Sequence, residues 1–148
     1  MKTGNLLYIP ILLVPMMLFA QKDISGRTWG KWDPDRKIAY VVGFYAGLKA
    51  DAEVFREAER SRYRKNPYES APLTEKRFKY ERKDYYDRKI KYDFKFMLAL
   101  LDNFYTVEEN VPVPVPQALR IVMVRESGEL DRSRDLLLKA RRAAAGKD

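Results

Sequence analysis

The 148-residue chain carries 29 Lys and Arg against 21 Asp and Glu, for a formal net charge of +8, and contains neither His nor Cys. The missing residue types exclude imidazole acid–base chemistry, thiol nucleophiles, the usual zinc ligands and every disulfide. A chain of this length supports one hydrophobic core, and its basic balance favours acidic partners without naming one.

Residues 1–20 have the layout of a secretory signal: Lys2 in a short polar start, an apolar run over residues 6–19, and the small residue Ala20 before Gln21. The run is interrupted by Pro10 and Pro15 and falls short of the roughly 20 apolar residues that a spanning helix needs, so export with cleavage near Ala20 is expected rather than a permanent membrane span. Residues 21–148 are then a single domain.

Residues 21–32 form a polar lead that ends in Trp29 and Trp32, two apolar plugs expected to fold back on the first helix. That helix is predicted over about residues 34–62. Asp33 suits the cap, Pro34 the first turn and Asp35 the positive end of the dipole. Ile38, Val41, Tyr45, Leu48, Ala52 and Phe55 recur at alternate spacings of three and four and mark a buried stripe. Ala39, Gly43 and Gly47 fall four apart on another face. Each helical glycine costs about 1 kcal/mol relative to alanine, so close packing, within the chain or against a second copy, or a bend is the expected compensation, with two tolerated glycines in an ordinary core helix as the equal alternative.

Asn66-Pro67 and Ala71-Pro72 break the chain and place a loop at residues 63–73. A second long helix is predicted from Thr74, with Leu73 and Phe78 as a hydrophobic staple and Tyr86, Ile90, Phe94, Met97, Leu101 and Phe104 as its apolar stripe. Residues 88–96 also alternate as a half-buried strand would; helix is preferred because no second strand pairs with them. The alternating prolines at 112, 114 and 116 predict an extended crossing over residues 111–116. A third helix follows from Pro116 to near Gly128, and a last segment over residues 130–145 has cations near its end. The fold class is all-α: two long helices, an extended proline-rich crossing and one or two shorter C-terminal helices.

Two surfaces are candidates for binding. Residues 56–95 hold 14 Lys or Arg against 8 acids with interleaved tyrosines, so Arg77, Lys79, Arg82, Lys83, Lys89 and Lys91 offer an anionic envelope polymer a contact. The admixed acids favour a salt-bridged structural face, and an exported protein is not expected to meet nucleic acid. Asp102, Tyr105, Glu108, Glu109 and Asn110 surround the mouth of the proline crossing; they lack calcium-loop spacing, and no metal, cofactor or catalytic pair is expected there. Capping and turn formation are the simpler role for these acids and Asn110.

Residues 40–47, Tyr-Val-Val-Gly-Phe-Tyr-Ala-Gly, resemble the glycine-bearing helix of the small exported immunity proteins that protect bacteria from type VI secreted amidases. Phe104-Tyr105, Asn110-Val111-Pro112-Val113 and Ala118-Leu119 resemble the downstream half of related exported helical proteins. The resemblance implies a helical, non-enzymatic exported domain that binds a protein in the cell envelope, with inhibition of an envelope-degrading toxin as its role. Members of that group commonly carry bracing cysteines, which this chain lacks, and no inhibitory loop carries over residue by residue. Gly43 and Gly47, with the turn residues Asp102, Tyr105, Glu108, Glu109 and Asn110, are the corresponding partner-binding candidates.

Overall fold

The computed structural model describes residues 24–85 and 93–146. Six α-helices follow in order: α1 (Gly26–Trp29), α2 (Pro34–Lys65), α3 (Leu73–Arg82), α4 (Phe94–Phe104), α5 (Val115–Glu126) and α6 (Leu130–Ala145). Short 3-10 turns occupy Lys83–Tyr85 and Glu108–Asn110. Among the described residues the only β pairing is one isolated bridge between Ser25 and Pro114, and the all-α expectation holds. The proposed signal at residues 1–20 and its cleavage point lie outside the described residues.

α2 starts as its sequence dictates. The Asp33 side chain accepts the Arg36 N–H at 2.8 Å, and Pro34 occupies the first helical position, where no N–H is needed. Val41, Tyr45 and Ala52 are buried along the predicted stripe, with Ile38, Leu48 and Phe55 half-buried beside them. Trp29, at 1% exposure, sits in the core, and its ring meets Trp32 at 6.0 Å and Tyr40 at 6.3 Å between centroids. The two tryptophans are therefore the plugs the sequence suggests.

α5 is the central helix. Val115, Ala118, Leu119, Val122 and Met123 are fully buried, and the helix is packed by α4, α6 and the Lys83–Tyr85 turn. An α-helix apolar on most of its faces is stable only inside a bundle, and α4 presents Met97, Leu101 and Phe104 to it. Gly128 reverses the chain between α5 and α6 with φ of 90°, a backbone state open to glycine, while the Glu129 N–H returns to the Val124 carbonyl.

Four local expectations are corrected. α2 continues to Lys65, so the loop is confined to residues 66–72. The next helix begins at Leu73 after Pro72 rather than at Thr74; Leu73 is 83% exposed, and the staple expected between it and Phe78 falls on a side chain outside the described residues. The second long helix is divided: α3 runs out into a 3-10 turn, and α4 begins afresh at Phe94 behind an extended Asp93 whose carboxylate accepts the Lys95 N–H. Residues 94–96 are helical, as preferred over strand, and residues 86–92 lie outside the described residues.

The fourth correction concerns residues 111–116, which are not an extended crossing. Val111 is helical in backbone, a turn follows, and α5 has already begun at Val115. The prolines at 112, 114 and 116 remove three backbone donors, and every remaining buried polar group then needs a partner. The partners are tertiary. The Val111 carbonyl accepts the Gly26 N–H at 2.9 Å, and the Val115 N–H reaches the Ile24 carbonyl at 2.7 Å. The Tyr105 hydroxyl donates to the Val113 carbonyl at 2.9 Å. An isolated proline run would stay extended; this one is bent by a fold that supplies the missing half of its hydrogen bonds.

The glycines divide accordingly. A Cβ at Gly26 would fall inside the Tyr105 ring, whereas among the described residues nothing lies within 4 Å of one at Gly43 or Gly47. Gly26→Ala should cost about 1–3 kcal/mol through overpacking, while Gly43→Ala and Gly47→Ala should each stabilise by about 0.5–1 kcal/mol. Urea unfolding midpoints of the three variants check both signs.

Candidate functional site

The outer face of α2 is left exposed among the described residues. Residues 38–48 contain no charged side chain, yet only one side of this stretch faces the core. Ala39, Val42, Gly43, Ala46, Gly47 and Ala50 are all exposed. The strip runs about 17 Å along the helix at the usual rise per residue. Its own side chains are mostly small and uncharged, with Arg36 at one end and Lys49, Asp51 and Glu53 at the other. A second backbone could approach it closely. The compensation for two helical glycines is thus absent within the described chain.

The turn residues do not join that face. Asp102 is half-exposed and reaches the start of α2, where one carboxylate oxygen accepts from Trp29 Nε1 at 2.7 Å and from Lys37 Nζ at 2.7 Å. Tyr105 lies over Gly26 with its hydroxyl on Val113. Asn110, 4% exposed, donates from Nδ2 to the Phe104 carbonyl at 2.7 Å and accepts from Arg141 Nε at 2.9 Å. Three of the five candidates are therefore braces that shape the turn. Glu108 and Glu109 are exposed.

The basic candidates are also partly engaged. Arg77 is paired with Glu81 at 2.9 Å and Lys79 with Glu59 at 3.6 Å, which is the salt-bridged face expected of mixed charges. Arg82 lines a cleft of about 130 Å³ between α2 and α3 with Phe55, Arg56, Glu75 and Lys79. Lys83 is exposed, and Lys89 and Lys91 lie outside the described residues.

Sequence reasoning missed two buried carboxylates. The Asp84 side chain, 1% exposed, is held between Arg120 at 2.6 Å and Arg132 at 2.5 Å, and Arg132 also lies over the Tyr80 ring and meets Glu129 at 3.0 Å. This knot joins the turn after α3 to both C-terminal helices. Glu75 is likewise buried against Arg62 and ties α3 to α2. A signal for the first existed: Arg120 interrupts an apolar run, flanked by Leu119 and Ile121, so its charge required a buried partner. Among the described residues no group of three acids converges as a metal site.

Removing one partner of a buried pair leaves the other charge uncompensated. Asp84→Ala should therefore destabilise by about 3–5 kcal/mol, against under 1 kcal/mol for the exposed Glu53→Ala, measured by urea denaturation. Tyr85 supplies a pH test. Its hydroxyl donates to the Pro116 carbonyl at 3.3 Å, and burial, opposed in part by Arg120, pushes its phenol up to about 12. The folded chain retains the proton longer than the unfolded one, so stability is level below about pH 10 and falls as pH rises from there toward 12. Burial raises the Tyr105 phenol in the same direction. Tyr85→Phe should gain on the wild type by roughly 2 kcal/mol between pH 9 and 11.5, as read from paired denaturation curves.

Comparison with known proteins gives no matching family model, no similar curated protein and no similar solved structure.

Proposed function

We propose that this chain is an exported, non-enzymatic domain that binds another protein in the cell envelope across the outer face of α2. The observation that carries the reading is the exposed strip around Gly43 and Gly47, where two helical glycines meet no close neighbour among the described residues. The leader-like residues 1–20 support export, and among the described residues no helix is long and apolar enough to cross a membrane. The non-enzymatic part is supported by the engagement of both buried carboxylates, Glu75 and Asp84, with arginines. The resemblance to immunity proteins makes an envelope-degrading toxin the first partner class to test.

The alternative, an anionic envelope polymer held by the basic tyrosine-rich section, is less well supported because Arg77 and Lys79 already face carboxylates. Ionic strength separates the two, since a polyanion complex weakens steeply with salt and a shape-matched apolar contact does not. Affinity capture from envelope extract should retain one protein through high salt with the wild type and lose it with Gly43→Lys, a substitution that meets nothing in the fold. Retention of anionic polymer alone, released by salt, would overturn the proposal. Self-association across the strip would instead show as a concentration-dependent mass in sedimentation and would vanish in the same variant.

A further inference from the structure

A second cleft, of about 220 Å³, opens on the far side of the molecule, between the end of α4 with its following turn and the α5–α6 hairpin. Phe104, Ile121 and Leu137 give it an apolar lining, and Asn110, Arg125 and Arg141 add polar groups. Its electrostatics are unbalanced. Arg141 is half-buried and has no carboxylate partner among the described residues; its Nε donates instead to Oδ1 of Asn110 at 2.9 Å. Asn110 is itself fixed by its bond to the Phe104 carbonyl. The guanidinium is thus oriented through Nε by a neutral, buried acceptor, and among the described residues no carboxylate compensates its charge or meets its two terminal nitrogens. Arg125 adds a second cation, paired with the adjacent Glu126 at 3.2 Å in a surface contact of little strength.

A guanidinium held along its Nε edge presents its outer edge to a planar anion, and carboxylate matches that edge with two parallel hydrogen bonds. The lining beside it selects for an apolar body. An apolar cavity of about 150 Å³ takes one benzene, so this cleft has room for a single ring or branched chain but not for a polymer. From the anchored, uncompensated arginine beside an apolar cleft, we infer that the α4–α6 cleft is a binding site for a small monocarboxylate bearing one aromatic or branched aliphatic group. The site is independent of the α2 face, and neither reading depends on the other.

Calorimetric titration of the purified protein with three probes tests it. Phenylacetate supplies both features, phenylacetamide lacks the charge, and acetate lacks the ring. Phenylacetate should bind at millimolar concentration or below, at least tenfold more tightly than either of the others. Arg141→Gln should weaken it at least tenfold with an unchanged circular dichroism spectrum, and Arg125→Gln by a smaller factor. If Arg141→Gln fails to fold, amide chemical shifts of the wild type decide, since phenylacetate must perturb Phe104, Ile121 and Leu137. No phenylacetate binding at millimolar concentration, equal binding of the amide, an unaffected folded Arg141→Gln, or shifts confined to other parts of the molecule would each overturn the assignment.

Discussion

The proline-bearing turn before α5 is the constraint on which the rest of the structure depends. A segment that has lost alternate backbone donors cannot be buried unless its remaining polar groups are met from outside, and burial is what the fold demands of Val113 and Val115. The N-terminal segment meets that demand at Val111 and Val115, and Tyr105 meets it at Val113. Gly26 has no side chain because the Tyr105 ring takes its place. Once this clasp is closed, Trp29 is delivered to the core, Asp102 finds both Trp29 and Lys37, and α5 enters the bundle at an angle that its own sequence does not specify.

A second set of ties closes the opposite side. Asp84 joins the turn after α3 to α5 and α6, and Glu75 joins α3 to α2. These pairs do not add much net stability, because desolvating charges offsets most of their attraction. Their effect is positional: Asp84 accepts arginines from two helices at once, and any shift of α6 against α5 would strand a charge. With no cysteine in the chain, directional bonds of this kind and the packing of α5 hold the helices in register.

Local chemistry was legible where one residue determines one feature. Asp33 and Pro34 announce the start of α2, the stripe from Ile38 to Phe55 names its buried side, and Gly128 marks the reversal between the last two helices. The turn at residues 111–114 was not legible, because isolated prolines favour extension and only Ile24, Gly26 and Tyr105 bend them. The division between α3 and α4 was missed for a related reason: periodicity carries through the region, whereas Asp93 caps a new helix and Asp84 turns inward to arginines far along the chain. The candidate surface follows the same rule. The open face at Gly43 and Gly47 lies on one helix and could be recognised from spacing, while the anchoring of Arg141 by Asn110 joins two distant segments and left no mark on either.

The clasp also orders events in time. Ile24 and Gly26 find their partners only in residues 111–115, so a loop of some 85 residues must close before the N-terminal segment is seated, and closure over such a span is entropically costly and slow. Wherever this chain is delivered from its N-terminus, α2 therefore emerges with both its core stripe and its uncharged outer strip bare. The arrival of α3 and α4 then covers the first. Until then the nascent protein presents both faces of α2 to solvent.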